Sequence, residues 1–523
     1  MTLMKSFTLA TALALASMPA WAQDLTIGRG NEPQSIDPQF SRTGPNQMTA
    51  LHIFDRLALT DANVRMRPGL AESWTNIDPM TWEVKLRQGV TFHDGSPFTA
   101  EDVVFSLTRA PDVPNSTASF AQSVADIDSM TIVDDHTIRF TSKTPNPLFV
   151  ENIGTVYIVS KAATEGKESS DFNSGSAAIG TGPYKFVSWS PGDRMELVRN
   201  DAYWGDAPAY ENVTMRFISN DAARVAALLS GAVDLIDLVP PADLPSLRAN
   251  PDLKVYDTPT VRLIYLALNQ ADDAPLLTDL AGEPLPSNPF QDPRVREAVS
   301  LMIDRQAIVD RLLYGAGEAA SQIVPSGVFG YNEAISVPEV NVERAKTLLT
   351  EAGYPEGFGI TVHSSNDRFS QDGELAQVLG QFLARGGLKV NAVETLPYAV
   401  FSKDAGKNAY GAFVFSYGNS TGESSRGLLS AIHTYDKKGT GNGTLNRYRY
   451  SNPEFDAAIV AAASIFDPDA RELALKDAAA IAARDTATVP LYFQALSWAS
   501  KVGVDFTPRR DERTLAMGAR PAN

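Results

Sequence analysis

The chain has 523 residues, no cysteine and a formal net charge of −17, with no basic cluster to offset it locally. Such a field repels phosphate backbones and anionic lipid, which excludes nucleic acid as a partner, although it selects no small ligand because a pocket can carry either sign. Without cysteine there is neither a disulfide nor an acyl anchor of the lipoprotein kind, so stability rests on a large buried core.

The chain opens MTLMKSFTLATALALASMPAWAQ: a lysine, an apolar run from Phe7 to Ala16, then Ala20-Trp21-Ala22. This order predicts a signal peptide over residues 1–22, cleaved after Ala22. The apolar run is too short to span a bilayer, and no later stretch approaches twenty consecutive apolar residues. A soluble protein of a Gram-negative periplasm is expected. The 501 residues that remain exceed the roughly 250–300 at which single cores stop growing, which predicts two or more lobes.

In chain order, residues 79–93 alternate, with Trp82, Val84 and Leu86 on one face and Thr81, Glu83, Lys85 and Arg87 on the other, as a half-buried strand requires. Asp94-Gly95 reads as a turn, and Thr99 as the cap of a helix whose first turn carries Glu101 and Asp102. Residues 184–200 predict a hairpin about Ser190-Pro191-Gly192-Asp193. Pro/Gly-rich segments at 239–241 and 282–289 read as loops. Further on, Asp292-Pro293 predicts a helix start, with Val295, Ala298, Val299 and Met302 at helical spacing and a stop at Gly315. Asn341 caps a helix closed by Gly353 and Pro355, and another runs from Asp372 to Gly386 before the strand-like LKVNAV. The strand-rich first half suggests α+β, and the alternating second half an α/β lobe.

The five histidines are scattered and none has zinc-ligand spacing. Gly418-Asn419-Ser420-Thr421-Gly422 satisfies G-x-S-x-G after the strand-like AFVFSY, the pattern of a serine hydrolase. Such an enzyme needs an acid and then a histidine downstream on separate loops, and the only later histidine is His433, thirteen residues on. A glycine-rich loop at a strand end, suited to ligand contact, is the expected role. Gly439-x-Gly441-x-Gly443 lacks a preceding strand and a P-loop lysine, and reads as a surface loop. Tyr265, Tyr398, Tyr417 and Trp498 are read either as core or as rings that stack on a ligand.

The segment WEVKLRQGVTFHDGSPFTAEDVVFS (82–106) resembles the signature of the periplasmic solute-binding proteins of ABC importers, in the peptide/nickel group, family 5. The likeness continues through GTGPYKF (180–186), RNDAYWG (199–205), FQDPRVREAVSLMIDRQAI (290–308), AKTLLTEAGYPEGF (345–358) and RYSNPEFD (449–456). The resemblance implies a non-enzymatic, two-lobed α/β binding protein of the type II-like, large peptide-binding subclass, with an extra subdomain in lobe one and no cofactor. Lobe one would comprise residues 24–66, the inserted subdomain 67–179, residues 180–268 and the tail 486–523, and lobe two residues 269–485. The crossings would lie near Leu266-Ala267-Leu268-Asn269 and Thr488-Val489-Pro490.

It also implies a monomer that encloses a short peptide or similar amine-bearing solute and docks on permease subunits in the inner membrane. In the family's peptide binders, an aspartate after a lobe-two strand pairs with the ligand's α-amine. The corresponding FSYGNSTGESSRGL (415–428) has no aspartate. Glu423 is expected to take the amine and Arg426 or Arg368 a carboxylate, unless Glu423 and Arg426 form a solvated pair. The expected ligand-binding residues are Tyr265, Arg368, Tyr417, Gly418, Asn419, Ser420, Glu423 and Arg426. A nickel chelate, an opine or a sugar is the alternative ligand, and hydrolysis at Ser420 the remote one.

Overall fold

The computed structural model describes residues 24–116, 118–419, 422–436 and 441–522. The expected signal segment, Ser420, Thr421 and Gly439 lie outside the described residues. Two long antiparallel strands, Leu253–Leu268 and Val489–Lys501, form the spine of the molecule. They pair from Leu253 opposite Lys501 to Leu266 opposite Val489, with register shifts between Pro259 and Leu263 and between Ile264 and Tyr265. Towards one end, Leu235-Ile236 joins the second spine strand, and the sheet continues through Asp24–Arg29, Asn212–Phe217, Arg194–Arg199 and Tyr184–Ser190. Towards the other, Ala412–Gly418 pairs with Arg262–Leu268, and the sheet continues through Gly359–Ser365 to Lys389–Leu396 and Leu277-Thr278. One twelve-stranded sheet therefore serves both halves. Leu266–Asn269 and Thr488–Pro490 lie at the end of the spine that pairs with Ala412–Gly418, next to the register shift at Ile264/Tyr265.

The apolar runs VRLIYLAL and AFVFSY are continuous because the second half is buried on both faces. Ile264, Leu266, Leu268, Ala412 and Val414 pack into one core, while Leu263, Tyr265, Ala267, Phe413, Phe415 and Tyr417 pack into another on the opposite face. The second core is aromatic, which explains Tyr265 and Tyr417 as core members before any ligand is invoked.

In the first half, a four-stranded sheet orders Ala71–Asp78, Thr81–Leu86, Thr137–Ser142 and Ile127–Asp134. Trp82, Val84 and Leu86 face its core, as the alternation predicts. The predicted hairpin is present as Tyr184–Ser190 and Arg194–Arg199. Thr99 caps the helix Ala100–Arg109 through a capping box, its backbone N donating to Asp102 Oδ2 at 2.9 Å. Asp102 Oδ1 also accepts from Lys161 N at 2.9 Å. His93 clamps the GTGPYKF block: Nδ1 accepts from Gly180 N at 3.3 Å and the other ring nitrogen, Nε2, donates to Gly182 O at 3.0 Å. Burial holds His93 down to about 4, so the ring is neutral at physiological pH. The two motifs are thus built against each other.

The helix expected to run from Asp292 to Gly315 is shorter, Pro293–Leu301. Asp304 starts a new turn by accepting from Ala307 N at 2.9 Å, and Arg305 is anchored by Pro490 O of the spine at 2.7 Å. A second cap and a long-range contact override the periodicity. The helices Val342–Glu351 and Asp372–Arg385 follow expectation.

Candidate functional site

The strand Ala412–Gly418 delivers its end to the junction of the two halves, where Gly418 lies opposite Arg262 of the spine. The loop beyond it meets the hairpin Ala58–Thr60/Met66–Pro68 of the first half. Gly422 has φ +74°, and a Cβ there would run into the backbone oxygen of Val64 at the hairpin tip. Val64 itself has φ +67°, a conformation that costs a β-branched residue appreciable strain. The contact between loop and hairpin is therefore close and specific to glycine.

The expected site residues divide into three groups. Gly418, Asn419 and Glu423 lie at the junction. Asn419 is buried, receives its position from a bond of its backbone N to Val261 O at 3.1 Å, and donates from Nδ2 to Glu423 O at 2.8 Å. Glu423 is paired with Arg471 of the helix Pro468–Arg484 at 3.3 Å, and burial raises its pKa. Tyr265, Tyr417 and Arg426 form the second group. Both tyrosines are buried, and Tyr265 packs edge-on against Tyr448 at 6.1 Å. Arg426 is half-buried and faces Arg42 of the first half, whose pKa is lowered by burial and then by Arg426. Arg368 stands apart: it is exposed and lies over the ring of Tyr398 at 4.9 Å. Ser420 lies outside the described residues. No group of three His, Cys, Asp or Glu side chains able to hold a metal occurs among the described residues.

Two cavities flank this loop. The larger, of about 420 Å³, is lined by Arg65, Met66 and Glu151 from the first half and by Phe329, Glu333, Glu423, Arg471 and Glu472 from the second. Four carboxylates face two guanidiniums there. Burial, with a contribution from Glu423, raises Glu151 to about 7. The smaller, of about 140 Å³, is lined by Arg56, Val64, Arg262, Asn419, Asp511, Glu512 and Arg513 among others. Arg262 makes a two-pronged pair with Glu512, 2.8 Å to each oxygen. Burial opposes ionisation of Asp511, but Arg513 and Arg509 outweigh it and hold its pKa down.

Sequence reasoning missed Arg42, Arg56, Glu151, Arg262, Arg471 and the cluster Arg509–Arg513. A signal existed for some of them: Arg56 in HIFDRLAL, Glu151 in LFVENIG and Arg262 in VRLIYLAL are charges set in apolar runs. Such charges are rarely buried unless paired or used.

Comparison with known proteins places these features. The profile "Bacterial extracellular solute-binding proteins, family 5 Middle" matches residues 65–439. The glutathione-binding protein GsiB of Salmonella paratyphi A is 27% identical over 497 residues, covering 93% of this chain and 92% of the relative. Among solved structures, the periplasmic murein tripeptide binding protein MppA in its unliganded open form aligns with TM-score 0.80 at 22% identity, over 96% of this chain and 98% of that one. The DppA protein of Helicobacter pylori in complex with the peptide STSA aligns with TM-score 0.72 at 24% identity, over 95% and 98%. The fold is thus that of two-lobed periplasmic binding proteins, and the chain belongs to the bacterial extracellular solute-binding proteins of family 5.

Proposed function

We propose that this protein is the periplasmic receptor of an ABC importer and captures a short peptide, or a similar solute with a free amine, between its lobes. The observation that carries this reading is the acidic cavity of about 420 Å³, to which both halves contribute walls. Its volume suits a small solute, and an ammonium group there finds Glu423 from one lobe and Glu151 from the other. Glu423 then substitutes for the aspartate that segment 415–428 lacks. Arg426, beside Arg42, takes a ligand carboxylate, and Tyr417, Gly418 and Asn419 supply the adjoining wall, with Tyr265 behind them; Ser420 lies outside the described residues. Arg368 is left outside this group.

The lobes in this reading meet at the register break of the spine, near Pro259–Leu263 and Phe493–Ala495, because there the sheet changes partners from Leu235-Ile236 to Ala412–Gly418. Residues 67–179 form the inserted subdomain. A ligand that touches both lobes shifts the population towards closure, and the closed monomer docks on the permease. Residues 1–22 direct the chain to the periplasm.

Thermal shift and native mass spectrometry with di- and tripeptides, glutathione among them, test this. Peptides with a free amine should raise the Tm, and N-acetylation should weaken binding at least tenfold, since the charge-assisted bonds from the ammonium to Glu423 and Glu151 are then lost. No response to any peptide or amine, with no ligand retained from the native host, would rule the reading out.

A further inference from the structure

Arg56 is 4% exposed, yet among the described residues its guanidinium donates no hydrogen bond and joins no ion pair; its Nε is wholly buried. Its favourable neighbour is the ring of Tyr157, whose centroid lies 5.5 Å from the guanidinium carbon. Burial brings its pKa down to about 10, which still leaves it charged at neutral pH. A guanidinium presents five donors, and a buried one without acceptors is costly unless something supplies them.

The surrounding acids are engaged elsewhere. Asp511 takes Arg513 at 3.1 Å and Arg509 at 2.6 Å, and Glu512 takes Arg262. Asp55, next to Arg56 in the chain, turns its carboxylate to Trp204 Nε1 at 2.8 Å and Thr181 Oγ1 at 3.0 Å. Three guanidiniums (Arg56, Arg262, Arg513) against two carboxylates (Asp511, Glu512) line a cavity of about 140 Å³. With Arg262 matched by Glu512 and Arg513 by Asp511, the charge of Arg56 is left in excess. That volume admits a carboxylate or phosphate group, a few times the roughly 30 Å³ of a water molecule, and no whole peptide.

We infer that this smaller cavity binds a small oxyanion, held by Arg56 and Arg513 and closed off from the opposite lobe by Gly418 and Asn419. Because its walls come from both lobes, the anion stabilises their contact. The oxyanion is either a second acidic group of the transported solute or a free anion; only the first of these rests on the peptide-receptor reading.

Thermal unfolding of the whole protein in formate, acetate or sulfate, against chloride at matched ionic strength, gives the first arm. Wild type should show a saturable rise in Tm of roughly 2–4 °C over chloride. Arg56→Met should abolish the rise and Arg513→Gln should reduce it. Equal Tm values in formate and chloride, or an undiminished rise in Arg56→Met, overturn the inference. Should Arg56→Met fail to fold, the wild-type comparison and Arg513→Gln decide it, an undiminished rise in the latter counting against it. The second arm titrates glutathione and its C-terminal amide calorimetrically. A tenfold loss on amidation that vanishes in Arg56→Met or Arg513→Gln assigns the cavity to the solute. No loss, with the formate response intact, assigns it to a free anion. A formate response without any peptide binding would leave the anion site standing and remove the peptide reading.

Discussion

Glu151 sits where burial and the neighbouring Glu423 both oppose its ionisation, and it titrates at about 7 in place of the usual 4.5. A carboxyl raised in this way favours the folded state while neutral; that contribution is full below about 4.5 and is lost as pH rises through about 7. Glu151→Gln makes the neutral state permanent. At pH 8 it should stabilise the ligand-free protein by about 2 kcal/mol, a figure discounted for the half-buried position, and at pH 4.5 it should change little. Thermal melts at the two pH values check this; equal effects at both would remove Glu151 as the titrating group. Arg471 acts in the opposite sense. Its side chain and that of Glu423 are 9% and 7% exposed, so Arg471→Met strands a buried charge and should cost about 2–4 kcal/mol in urea denaturation. Adding Glu423→Gln should recover part of the loss. Neither role was readable from sequence, because Glu423 and Arg471 are 48 positions apart and only the fold brings them together.

Local chemistry was readable where it is self-contained. The capping box at Thr99 and Asp102, the turn at Gly95 and the hairpin at Gly192 each need only neighbouring residues, and each is present. Asp102→Ala removes the box and also the bond from Lys161 N. It should therefore cost about 1–3 kcal/mol, more than Thr99→Ala at about 1 kcal/mol; a reversed order in chemical denaturation would contradict this account. The helix start at Asp292 was equally local. Its end was not, since the interruption after Leu301 depends on Arg305 reaching Pro490 of the spine. For strands such as Ala412–Gly418, burial on both faces erases the alternation that would tell which face holds Tyr417.

At the scale of the whole molecule, Gly422, in the loop after Gly418, packs against Val64 of the first half. Gly422→Val places a side chain against the Val64 carbonyl in a backbone conformation unfavourable to valine. It should hold the lobes apart: small-angle scattering should show no ligand-induced contraction, and affinity should fall about tenfold or more. Contraction equal to wild type would show that the contact does not govern closure. Two long strands carry the connection, and their register shifts between Pro259 and Leu263, where Thr260 Oγ1 donates to Gln494 O at 2.7 Å and Val261 N to Arg510 O at 3.1 Å.

The family was determined by sequence alone, because its diagnostic residues build local structure, a strand, a turn and a capped helix, whereas the His93 clamp on GTGPYKF, 87 or more positions away, became visible only in the fold. The missing aspartate in 415–428 was visible there too. Tertiary structure alone decided what stands in its place. RRDER (509–513) is a run of charges near the end of the sequence, yet its Asp511, Glu512 and Arg513 line a cavity with Arg56 and Arg262, 249 or more positions away. Charge complementarity across a lobe junction depends on distances in space, and no periodicity along the chain encodes them.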